Sequence, residues 1–475
     1  MEQTTGTQRA DGPGQEADQA GARPVLFCCT HSTGEAATSL ALAGELARRG
    51  VPDLVFAADE NLRGPVEELA DRSAVEFVSL GPVNPALALT MMDDATYDRI
   101  YQRSRVRALR ARARQLFDVD HLLQRYQALD EVVERVRPAL MVINRFATHA
   151  VLVALARGIP YVITAPCLLS SLVEHDLPRG FPPPSSGLPL RRTLRQELDR
   201  IWFRIGVGSL FLDRSVLRRA VRLHKRMGEL GLDPRTLRAP VQQEGARSLL
   251  CFTVPGVDYP LPVPDRVRMV GALVPPSRHD ERDAAVTEWL DAHPSVVYVA
   301  FGSVTRMTAD QVRSLVELAR RLGDDHGLLW VVHRDQQRLL PAELPANLKV
   351  VPWVHSQLGV LEHPHVRAFF THGGSNSIHE SLYFGVPVLV RPTLVDQFDH
   401  AVRAVDTGIG LTVERPDRID VDDTHGRLLR LLHEPGFADR AREIGQVQRS
   451  AGGLRVAGDA VLMELREASV PTPSA

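Results

Sequence analysis

One stretch limits the fold of this chain more than any other: FFTHGGSNSIHESLYFGVPVLVRPTLVDQ, Phe369 to Gln397. An apolar end, Val366 to Phe370, leads into a turn at Gly373-Gly374 and then into an amphipathic segment. A second apolar run, Val386 to Val390, closes it. Short apolar runs on either side of a helical period make a strand–turn–helix–strand unit of a parallel sheet. Ser375, Asn376 and Ser377 stand where the helix should begin, and all three are good N-cap types. Such a turn aims free N–H groups and the positive helix end at whatever lies over it, which suits a diphosphate. A plain crossover has the same local pattern, so this run alone leaves both readings open.

The remaining chain repeats the unit. Pro24–Thr30, Leu54–Ala57, Ala139–Ile143 (ending at Asn144), Tyr161–Ala165 and Leu249–Val254 read as strands of a first half. Val296–Phe301, Gly327–His333 and Leu348–Trp353 read as strands of a second. At 475 residues more than one core is required. The expected divisions are a disordered polar tail at 1–22, a first Rossmann-like domain at 23–255 and a proline-rich linker at 256–283. A second Rossmann-like domain follows at 284–450, then a helix at 451–467 packing back on the first domain and a loose tail at 468–475. The first strand–loop–helix lacks the GxGxxG fingerprint of dinucleotide binders. Met91 to Val136 is Arg-rich and reads as solvated helices packed on a sheet. For the proline-rich loop Pro178–Pro189 and the basic, Trp- and Phe-bearing segment Leu190–Val221, a helical acceptor lid or plain packing is expected. Contact with a membrane surface is the other reading of that basic segment.

A net charge of −2 with 24% charged residues gives no polyelectrolyte character, so nucleic acid is not an expected partner. Lys225 and Lys349 are the only lysines; the arginine bias fits GC-rich coding and a bacterial source. Cys28, Cys29, Cys167 and Cys251 show no metal-ligand spacing and no disulfide framework, so a reducing cytoplasm is expected. No apolar window is long enough to span a membrane, and stable membrane insertion is not expected.

His372-Gly373-Gly374-Ser375-Asn376-Ser377, then Glu380, then Asp396-Gln397 resembles the nucleotide-sugar signature of the UDP-glycosyltransferases, with the intervals matching without gaps. The resemblance implies an α/β fold of the GT-B type, two Rossmann-like doubly wound domains facing across a cleft. The acceptor would be held by the first domain and the sugar donor by the second. It implies that His372, the backbone of Gly374 and Asn376, Ser375 and the Ser377 hydroxyl hold the diphosphate. Glu380 would accept hydrogen bonds from both ribose hydroxyls, which a carboxylate can do; Asp396 and Gln397 would bind sugar hydroxyls. Trp353 would stack on uracil with Gln357 nearby, and Gly302-Ser303 would approach the diphosphate. The segment WVHSQ is one residue longer than the family's usual W-x-P-Q and lacks its Pro. Arg391 stands where relatives usually carry an apolar or aromatic residue.

The first domain departs from the pattern. Where the family carries a catalytic His after a Gly, this chain has Gly34-Glu35, with Thr38 in place of the family's Pro and His31 four residues before Glu35. The family's partner Asp corresponds to Asn144. The joint change has a logic: a second carboxylate beside Glu35 would be mutually destabilising, whereas a neutral Asn can orient it. Glu35 is thus the expected general base, with His31 as the alternative and loss of the base as a third reading. The implied activity is inverting, metal-independent transfer of a hexose, glucose first, from a UDP-sugar to a hydroxyl of a small hydrophobic natural product such as a macrolide, polyketide or phenol. No cofactor is expected, and the chain would be a monomer or homodimer. Two other readings are a silent sugar-nucleotide-binding subunit and a lipid glycosyltransferase at the membrane surface.

Overall fold

The computed structural model describes residues 23–70, 75–276 and 278–469. The tail expected at 1–22 and the residues beyond 469 lie outside the described residues. Thirteen strands fall into two sheets. The first comprises β1 (Val25–Cys28), β2 (Leu54–Ala58), β3 (Val75–Ser79), β4 (Leu140–Asn144), β5 (Tyr161–Ala165), β6 (Ser248–Cys251) and β7 (Val267–Met269). The second comprises β8 (Val296–Ala300), β9 (Gly327–Val331), β10 (Leu348–Val351), β11 (Val366–Thr371), β12 (Val388–Val390) and β13 (Gly410–Thr412).

Every strand pair is parallel, and the orders are β3-β2-β1-β4-β5-β6-β7 and β10-β9-β8-β11-β12-β13. Parallel strands are covered by helices on both faces, which is why β1, β4, β5 and β8 are apolar and wholly buried. Each sheet lies between two apolar clusters, one on each face. In both, the strand order reverses direction at the central pair, β1/β4 and β8/β11. Doubly wound sheets bind ligands beyond the strand ends at that switch. The four loops there are Cys29–Ser32, Arg145–Ala147, Phe301–Thr308 and His372–Gly374. They carry or adjoin most of the residues singled out above.

Three strands differ from the sequence reading. β3 and β13 are sheet edges; β3 carries Glu76 and is half-exposed, and β13 has three residues, so neither shows a buried apolar run. β7 falls on the short strand that the sequence places at Val267–Val270 within the linker, but it pairs with β6 through Leu249–Val267 and so belongs to the first sheet. The final helix, Gly453–Ser469, puts Leu454, Ala457, Ala460 and Val461 into the core of the first domain beside Val25 and Phe27. Arg49 ties it there through Asp459 at 2.7 Å. That helix continues past 467, where the expected loose tail was to begin.

Candidate active site

The second-domain half of the cleft is built on the turn after β11. Gly373 has φ +83°, and Gly374 is the N-cap of the helix Ser375–Tyr383, with no side chain capping it. This corrects the expectation that Ser375, Asn376 or Ser377 would cap the helix. Those residues form its first turn, so their N–H groups are left free for an anion. The Ser375 hydroxyl is buried without a hydrogen-bond partner. Asn376 instead sends its side-chain N–H across the cleft to the Gly34 carbonyl at 2.6 Å, joining the two domains.

His372 lies against two glycines. A Cβ on Gly302, which has φ +74°, would meet the His372 Nε2 at 2.9 Å, and one on Gly374 would meet it at 2.5 Å. Burial pushes its pKa down to about 4, opposed by a hydrogen bond with the Ala300 carbonyl, so the ring is neutral near pH 7. Ser303 is exposed beside it. Glu380 follows one turn into the helix. Its Oε2 accepts from the Gln357 amide at 2.7 Å, and burial pushes its pKa up to about 7. Trp353 is 58% exposed, unusual for an indole and suited to a stacking platform. The longer WVHSQ segment is held by Asp283, whose carboxylate accepts from the His355 N–H at 3.0 Å and the Ser356 N–H at 2.8 Å. Asp283 carries no motif; only its place at the start of the helix Ala284–Asp291 marks it.

Asp396 and Gln397 open the helix Gln397–Asp406. The Gln397 Oε1 accepts from the Thr393 and Leu394 N–H groups and the Thr393 hydroxyl, each at 2.9 Å. That oxygen shapes the loop, which leaves only the amide N–H groups for a sugar. Val395, within the loop, has φ +35°, a costly conformation for a β-branched residue. Arg391 is 3% exposed, with Nε and Nη1 buried and unpartnered; its guanidinium lies 5.4 Å from the Phe301 ring centroid.

The first-domain half centres on Glu35, in the first turn of the helix Thr33–Arg48, whose N-cap Ser32 makes no side-chain cap. The Thr30 hydroxyl donates to Glu35 Oε2 at 2.8 Å. Burial raises the carboxyl pKa; Thr30, His31 and Arg145 oppose the rise and Asp396 of the other domain adds to it. The donor loop and the candidate base therefore face each other within electrostatic range. Asn144 does not orient Glu35. Its Oδ1 accepts the Phe146 N–H at 3.0 Å, closing the turn after β4, and its Nδ2 is buried without a partner. Thr30 takes the orienting place, at the end of the neighbouring strand. His31 has its own carboxylate: Nδ1 lies 3.5 Å from Asp59, which also pairs with Arg125 at 2.6 Å.

Two arginines absent from the sequence reading complete the cleft. Burial raises the Asp396 pKa, and Arg112, on the helix Arg105–Leu116 with a buried, unpartnered Nη1, opposes the rise, as does Arg145. Arg145 donates to Cys167 Sγ at 2.6 Å and the Ser171 carbonyl at 3.1 Å. The helix read as solvated thus turns one guanidinium inward. Arg145 was detectable, since it follows Asn144 at a switch-point strand end; Arg112 had no signal among so many arginines.

Two doubly wound parallel-sheet domains with an uncapped helix end at their cleft define the GT-B class. Residues 233–439 match the family model of UDP-glucoronosyl and UDP-glucosyl transferase. UDP-glycosyltransferase 1 of Phaeomoniella chlamydospora is 27% identical over 309 residues, 61% of this chain and 61% of that protein. The chain thus spans less than two thirds of that relative's length. The glycotransferase of kitacinnamycin superposes with a TM-score of 0.67 at 22% identity, covering 93% of this chain and 98% of that one. The calicheamicin glycosyltransferase CalG4 does so with 0.65 at 20%, covering 94% and 99%.

If Glu380 takes the ribose hydroxyls, as the sequence resemblance implies, donor binding should depend on pH. A diol that donates to the carboxylate favours its ionised form and would lower its pKa from about 7. Affinity is then full above pH 7 and falls as the free carboxyl takes up its proton. The dissociation constant for UDP is expected to rise about tenfold from pH 8 to pH 6. Glu380→Gln should remove that slope in calorimetric titrations.

Proposed function

We propose that the protein is an inverting glycosyltransferase that moves a hexose, glucose first, from a UDP-sugar to a hydroxyl of a small natural-product acceptor. The observation that carries this reading is the juxtaposition of Glu35 with the Asp396 loop across the cleft, beside an uncapped helix end. Glu35 accepts the proton of the acceptor hydroxyl as its oxygen attacks the anomeric carbon from the face opposite the departing UDP. The raised carboxyl pKa makes it a better base near neutrality than an ordinary glutamate. Asp396 holds sugar hydroxyls. The first-turn N–H groups of the helix Ser375–Tyr383 meet the charge that builds on the diphosphate. His372, neutral as burial leaves it, donates its ring N–H to a phosphate oxygen as that charge builds. This reading calls on no metal.

The likeness to the kitacinnamycin and calicheamicin glycosyltransferases supports a natural-product acceptor, and the family match supports a uridine donor. His31 is a second candidate for the base, favoured by the Asp59 carboxylate at its Nδ1. The test is release of UDP or TDP from matched UDP- and TDP-sugars with a panel of macrolide, polyketide and phenolic acceptors. Acceptor-dependent release of UDP from UDP-glucose is expected. Binding of UDP-sugar without release from any acceptor would make the chain a silent sugar-nucleotide-binding subunit.

A further inference from the structure

The helices Leu194–Gly208 and Arg214–Glu229, joined by the turn Ser209–Leu212, expose an apolar row that none of the described residues covers. Leu194, Leu198, Ile201, Trp202 and Ile205 recur at helical spacing and lie on one face of the first helix. Leu194 is 88% exposed and Trp202 68%; at the turn Phe211 is 75% and Leu212 81%. Leu217 and Val221 continue the row on the second helix. Monomeric proteins rarely leave so many large apolar side chains together in water.

Charge accompanies this row. Residues 191–226 hold eleven Lys and Arg against three Asp and Glu, a local +8 in a chain whose net charge is −2. Two of the three acids are engaged: Glu197 pairs with Arg192 and Arg200, and Asp213 with Arg114. Arg191, Arg195, Arg204, Arg214 and Arg218 are exposed, and among the described residues none has a hydrogen-bond or ion-pair partner. Free arginines beside exposed Leu, Trp and Phe need an apolar medium and anions in one surface.

We propose that this hairpin is a docking face for an anionic lipid surface, lying in the headgroup layer with its apolar row inward. Among the described residues no helix is long and apolar enough to cross a membrane, so the contact is peripheral. A groove of about 340 Å³ opens beside the same helix, walled by Arg105, Val106, Leu188, Trp202 and Phe203. Arg105 also lines the interdomain cavity that holds Arg112 and Leu394, next to the Asp396 loop. The groove thus lies between the docking face and the interdomain cleft, with Arg105 on both walls.

The test is co-sedimentation of the full chain with phosphatidylcholine vesicles, with and without phosphatidylglycerol, at low and moderate salt; it does not depend on the activity proposed above. Binding to the anionic vesicles is expected to exceed binding to neutral ones at least about tenfold at low salt and to weaken with salt. Trp202 emission should shift to the blue. Trp202→Ser with Phe211→Ser and Leu212→Ser should abolish binding, and Arg204→Gln with Arg214→Gln and Arg218→Gln should remove the anionic preference. All six side chains are exposed, so circular dichroism should be unchanged. No binding to anionic vesicles at low salt, or binding that survives both variants, overturns the proposal. A dimer in light scattering that the apolar variant converts to a monomer would assign the face to a second copy and also overturn it.

Discussion

Glu35→Gln is expected to lower turnover by about a hundredfold or more while leaving UDP affinity within about twofold, the usual scale for losing a general base. The carboxyl sits at the free end of the helix Thr33–Arg48, held by Thr30, where the β1/β4 switch opens onto the donor loop. A base acts only when ionised. Its raised pKa should therefore bring the acidic limb of the rate profile above the ordinary carboxylate range, and Glu35→Gln should erase that limb. His31→Ala is the control. A hundredfold loss there with a harmless Glu35→Gln would move the base to His31 and make Asp59 its orienting carboxylate.

His372→Ala should cost turnover about a hundredfold to a thousandfold, the range found when one donor to a developing anion is removed. Unlike the change at Glu35, it should also weaken UDP binding, because the diphosphate is present before and after transfer. Gly374→Ala should reproduce the loss by a steric route. Its Cβ would lie 2.5 Å from His372 Nε2, so ring or methyl must move into the cradle. Initial rates and UDP titrations on both variants check this pair.

The strand–turn–helix of the second domain was legible in the sequence because its geometry is local. A Gly-Gly turn, a helix start and a carboxylate one turn later are neighbours along the chain, and their order in space follows from the helix itself. What sequence did not show there was the cap: three good capping residues follow Gly374, yet all lie inside the helix, which keeps its N–H groups free. The acceptor half depends on contacts between distant segments. Asn144 was assigned to Glu35 by position, but its carbonyl oxygen is taken by the Phe146 N–H two residues on. Asp59 reaches His31 from the next strand, and Arg112 reaches the cleft from a helix with four other arginines, which no sequence pattern tells apart. Edge strands failed for the opposite reason. β3 and β13 lack the doubly buried pattern because only one neighbour covers them.

The account rests on a division of labour, with the donor held by the second domain and the proton taken by the first. Calorimetric titration of UDP into wild type, Glu35→Gln and His372→Ala tests it directly. UDP should bind wild type and Glu35→Gln alike and bind His372→Ala at least about tenfold more weakly. Equal binding by all three, or loss at Glu35→Gln matching that at His372→Ala, would contradict it.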